Sequence, residues 1–63
     1  MRRYHFFARR QVKNATADLA SIARLEGIRI VLKKADSLLL EMPAPMASRL
    51  AQKYSASLTV TAA

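Results

Sequence analysis

Four short stretches of this chain alternate with a period of two, and no other feature narrows the fold as much. In YHFFA the even positions Tyr4, Phe6 and Ala8 are apolar, while Arg3, His5 and Arg9 fall on the odd side together with Phe7. The same parity returns in IRIVLKK, where Ile28, Ile30 and Leu32 oppose Arg29, Val31 and Lys33. It returns again in LLLEM, with Leu38, Leu40 and Met42 against Leu39 and Glu41, and in LTVTA, with Leu58, Val60 and Ala62 against Thr59 and Thr61. Successive side chains of a strand point to opposite faces, so this alternation predicts four strands, each with one face buried and one open.

Two intervening stretches follow a helical period instead. NATADLASIARLEG sets Ala15, Leu19, Ile22 and Leu25 on one face, with Asn14 or Thr16 as the N-cap, Asp18 at the positive end of the helix dipole and Gly27 as the stop. APMASRLAQKY sets Met46, Leu50 and Tyr54 at four-residue spacing beside Ala47 and Ala51, and Pro45 fits a first turn, where its missing N–H costs nothing. Each helix is amphipathic and needs a sheet face to cover. The link ADS between the second and third strands is short enough to demand a hairpin or a similar tight turn.

The order strand, helix, strand, strand, helix, strand, with right-handed crossovers, predicts an α+β ferredoxin-like βαββαβ fold. Its four-stranded antiparallel sheet has the first and third strands at the centre and both helices on one face. At 63 residues the chain forms one domain, residues 1–63, with a small core and no cysteine to reinforce it. Tyr4 and Phe6 are expected in that core, beneath the helices.

The odd positions make the opposite, open face: Arg3, His5, Phe7, Arg9, Arg29, Val31, Lys33, Leu39, Glu41, Thr59 and Thr61. Phe7, Val31 and Leu39 are apolar within a basic rim, and contiguous apolar patches of this kind are usually covered by a partner. Eleven basic residues against four acids give a formal charge of +7, which favours an acidic partner, nucleic acid or an anionic surface. The expected partner is therefore a protein, either an acidic one or a second copy of the chain, meeting Arg3, His5, Phe7, Arg9, Arg29, Val31, Lys33 and Leu39. The alternative is a basic nucleic-acid binder using Arg3, Phe7, Arg9, Arg29 and Lys33, with Phe7 as a base-stacking platform and His5 as a weaker second. The third strand offers Leu39 and Glu41 where that use would want an aromatic and a base. Arg9, Arg10 and Lys13, ahead of the first helix, form a candidate anion site, with solvated loop charges as the plainer alternative.

Catalysis is not expected. One histidine, four acids and no cysteine leave His5 with Glu41 as its only acidic neighbour on the face, and no serine has a histidine partner at a telling spacing. No cofactor or metal is expected either: there is no Gly-rich phosphate loop, and RRQVKN stands where heavy-metal-binding domains of this fold carry Cys-x-x-Cys. Acylphosphatase chemistry lacks its asparagine on the third strand, which reads LLLEM. Apolar runs are too short to cross a membrane, and Arg9, Arg10 and Lys13 interrupt any signal-peptide pattern, so the expected location is cytoplasmic.

From Gly27 onward, GIRIVLKKADSLLLEMPAPMASRLAQKYSASLTV resembles the propeptides and inhibitors of subtilisin-type proteases. The likeness lies in a Gly before the second strand, a small-residue turn before an apolar third strand, and a short Leu-containing helix leading to an apolar last strand. It implies the same fold and an open face that packs on a protease. Phe7, Val31 and Leu39 would form that surface, and Thr61, Ala62 and Ala63 an inhibitory tail.

Overall fold

The computed structural model describes residues 1–63 and contains the expected six elements in the expected order: β1 (Arg2–Ala8), α1 (Ala15–Ala23), β2 (Arg29–Lys33), β3 (Ser37–Met42), α2 (Ala44–Lys53) and β4 (Leu58–Ala62). The strands form one sheet in the order β2-β3-β1-β4, with every neighbouring pair antiparallel. β1 and β3 are central, as the ferredoxin-like arrangement requires. Ten buried apolar residues make a single cluster, in which Phe6, Leu38, Leu40, Met42 and Leu58 of the sheet meet Ala15, Leu19 and Ile22 of α1 and Ala47 and Leu50 of α2. Every sheet residue in that cluster is even-numbered, so the period-two reading holds for β1, β3 and β4.

Helix ends follow from local chemistry. Pro45 lies in the first turn of α2, whose N-cap Pro43 is extended, with ψ 145°. Asn14 is the N-cap of α1, and its side chain makes no capping hydrogen bond; its carbonyl accepts the first intrahelical bond, from the Asp18 N–H at 2.9 Å. α1 stops at Ala23 with Arg24 as C-cap, before the expected Gly27, and this leaves Leu25 outside the helix and exposed. Gly27 has its own task, a φ of +84° in the turn that feeds β2. A Cβ there would meet nothing within 4 Å, so the cost of a side chain is confined to the backbone. Gly27→Ala should destabilise the domain by about 1 kcal/mol, the left-handed penalty less the entropy removed from the unfolded chain, measurable as a lower urea midpoint at unchanged slope.

β2 departs from its predicted pattern. The β2–β3 link is a two-residue hairpin loop, Ala35 and Asp36, closed by the Lys34 N–H donating to the Ser37 carbonyl at 2.9 Å and held to β1 by the Ala8 N–H donating to the Asp36 carbonyl at 2.8 Å. Counting back from that loop pairs Lys33 with Leu38 and Leu32 with Leu39, whereas farther along Ile30 pairs with Leu40 and Arg29 with Glu41. One extra residue, Val31, is accommodated between these two registers as a β-bulge. Neither loop residue has positive φ, so the turn is not one of the mirror-image types whose twist matches the strands.

The bulge reverses the expected parity beyond Val31. Leu32 shares the open face with Leu39, and Lys33 shares the helix face with Leu38. Ile30 remains on the helix face but is 42% exposed, since the close helix–sheet approaches are to β1 and β4. All five residues of β2 are exposed.

Candidate functional site

Register alone builds the open face. Arg3 lies opposite Glu41, His5 opposite Leu39 and Thr61, and Phe7 opposite Ser37 and Thr59. Directly opposed residues of an antiparallel pair share a face, with Cβ atoms about 4.5 to 5.5 Å apart. Together with Leu32 from β2, this gives an apolar centre of Phe7, Leu32 and Leu39 on the surface that no helix covers. Phe7 is 41% exposed and Leu32 49%, large values for residues whose neighbours are themselves apolar.

The centre is concave. His5, Phe7, Leu32, Lys34, Ser37 and Leu39 line a cleft of about 180 Å³. The His5 and Phe7 rings flank one another with centroids 5.3 Å apart and planes tilted by 35°, an aromatic pair of ordinary separation that stiffens one wall. Ser37 is buried in the floor and Lys34 supplies a cation at the rim.

Electrostatics divide the face into two ends. At one, Glu41 is held by Arg3, whose Nε donates to Oε2 at 3.0 Å, and by Arg29, whose Nη1 is 3.7 Å from Oε1. Both arginine side chains are more than half exposed, so these pairs orient the groups and add little stability. One carboxylate between two guanidiniums leaves that end positive, and it occupies the acid expected beside His5. At the other end Lys34 has no acid within ion-pairing distance. The whole rim therefore favours negative charge in whatever docks there.

Of the residues expected on this face, Arg3, His5, Phe7, Arg29 and Leu39 are brought together. Val31 sits in the bulge without a ladder partner, and Lys33 is carried by the bulge to the opposite side. There Lys33 lines a small pocket with Thr16, Leu19, Ala20, Ala23 and Leu38. Arg9 is tied down beside β4: its N–H donates to the Ser57 carbonyl at 2.9 Å and its Nε to the Leu58 carbonyl at 3.4 Å. Arg10 and Lys13 are exposed in the loop that follows, where Gln11 takes a left-handed φ of 70°.

Leu32 and Lys34 were not foreseen as face residues. Taking all of ADS as the link pairs even with even positions and needs no bulge; Ser37 instead belongs to β3, and the two-residue loop that remains pairs even with odd positions, so the change of face in β2 follows from where the strand pairing begins.

No cluster of three or more His, Cys, Asp and Glu side chains is placed to hold a metal ion, and no helix is long and apolar enough to cross a membrane. No protein-family model matches this chain, and comparison with curated proteins and with solved structures also finds no match.

Proposed function

We propose that this domain is a non-enzymatic protein-interaction module that binds an acidic protein through the open face of its sheet. The observation that carries the reading is the apolar centre of exposed Phe7 and Leu32 and half-buried Leu39, flanked by Arg3, Arg29 and Lys34. Interfaces concentrate aromatic anchors at the middle and charge at the rim, and an aromatic in a concave patch is the usual hot spot. The rim steers an acidic partner and raises the association rate, while the apolar centre sets the lifetime of the complex. The pattern-level likeness to subtilisin-type protease propeptides supports this use of the face and adds a protease with an acidic docking surface to the partners worth testing.

A second reading has one observation of its own. The His5–Phe7 ring pair among cations is the kind of platform on which single-stranded bases stack.

The experiment is affinity capture from nuclease-treated extract with the wild-type chain and with Phe7→Ala, followed by titration of each identified acidic partner. Phe7→Ala should weaken binding at least about tenfold, as expected for removal of an aromatic anchor. In an isotope-edited spectrum the perturbed amides should centre on His5, Phe7 and Leu39. Binding that disappears with nuclease, and returns with single-stranded RNA in a salt-sensitive manner, transfers the face to nucleic acid.

A further inference from the structure

We infer that the outer edge of β2 takes an extended acidic segment as a fifth strand. The inference rests on the preceding reading only for the partner's charge, and it specifies how that partner is gripped. β2 is the last strand of the sheet on its side, so its outer N–H and C=O groups have no partner within the domain. A free edge of this kind is a template for another strand.

What distinguishes this edge is its side chains. Ile30, Val31 and Leu32 are consecutive and are 42%, 38% and 49% exposed. In a regular strand Ile30 and Leu32 would share a face. Here the bulge sends Ile30 to the helix side and Leu32 to the open side, so an added strand would bury apolar surface above and below itself. Leu32 also lines the cleft beside Phe7, which makes the edge continuous with the open face.

Charge identifies the occupant. Arg29 precedes the apolar triplet, Lys33 and Lys34 follow it, and β2 itself carries no acid. Joining two copies along β2 would gather all of these cations on one seam, and like charges across a strand pair are destabilising. A segment with acids at both ends and β-branched residues between them satisfies the edge, with one acid meeting Arg29 on the open side and another meeting Lys33 on the helix side.

The test uses the isotope-labelled full chain and a synthetic peptide with alternating valine and threonine at its centre and paired glutamates at each end. A counterpart with lysines in place of the glutamates is the control. The glutamate peptide should shift the amides of residues 29–33 and slow their hydrogen exchange, while the lysine peptide does neither. Arg29→Glu and Lys33→Glu, both at exposed positions, should each weaken binding by roughly fivefold, the expected effect of turning a cross-strand attraction into a repulsion. Arg49→Glu, the same charge reversal at an exposed position of α2, should leave peptide affinity within about twofold, since β2 holds the peptide.

Shifts confined to His5, Phe7 and Leu39 would overturn the edge inference and leave the open-face reading standing. Equal protection by the lysine peptide, or no binding of the glutamate peptide, would overturn the inference directly. Protection of β2 that grows with protein concentration alone, with a doubled mass in sedimentation, would assign the edge to a second copy. Protection by single-stranded RNA in place of the peptide would assign it to phosphate.

Discussion

Phe6→Ala should cost about 3 to 5 kcal/mol of folding free energy, whereas Phe7→Ala, one residue along the same strand, should cost no more than about 1 kcal/mol. Phe6 is fully buried at the centre of β1, opposite Leu38 on one side and Val60 on the other. Its removal loses the transfer free energy of the ring and leaves a cavity that a small core closes only in part. Phe7 faces outward, opposite Ser37 and Thr59, and leaves no such cavity. A single core of this size supplies roughly 3 to 5 kcal/mol of stability, so Phe6→Ala should be largely unfolded at room temperature. Circular dichroism with urea titration reads both variants. The reverse order, with Phe7→Ala unfolding the domain and Phe6→Ala tolerated, would mean that β1 presents the other face to the helices.

Leu40→Ala should cost about 2 to 5 kcal/mol, and Leu32→Ala less than about 1 kcal/mol. The contrast tests the bulge. Both residues are even-numbered leucines in apolar strands, and a regular β2 would bury both. Instead Leu40 is fully buried on the helix face, while Leu32 lies opposite Leu39 on the open one. The same denaturation experiment decides between the two arrangements. Comparable losses from the two variants would mean that β2 runs without the extra residue at Val31 and that Leu32 belongs to the core. If Leu32→Ala leaves stability intact and weakens an acidic partner along with Phe7→Ala, the leucine's place in the cleft has a functional consequence.

Much of the fold was legible because it depends on local rules. Alternation in residues 4–8, 38–42 and 58–62 names which side chains enter the core, and the core contains Phe6, Leu38, Leu40, Met42 and Leu58 from those strands. Pro45 marks the start of α2 because its fixed φ suits a first turn, where its missing N–H has no helical partner to lose. The face was legible to the same extent: Arg3, His5, Phe7, Arg29 and Leu39 share it because parity within β1 and β3, and in β2 before the bulge, is undisturbed. For the proposed partner, the sequence supplies only the sign of the charge it would meet, through a formal charge of +7.

The sequence by itself determined the element order, the buried face of three strands and the excess of positive charge, since period, helix-end residues and ionisable side chains are properties of neighbouring residues. Only the tertiary structure decided where β2 changes face, that Glu41 is occupied by Arg3 and Arg29, and that Ile30 stays uncovered. Those outcomes depend on pairing distant strands in one register and on which strands the helices cover. A single inserted residue at Val31 then exchanges the places of Leu32 and Lys33, because side chains in a strand have a period of two and a slip of one reverses every face beyond it.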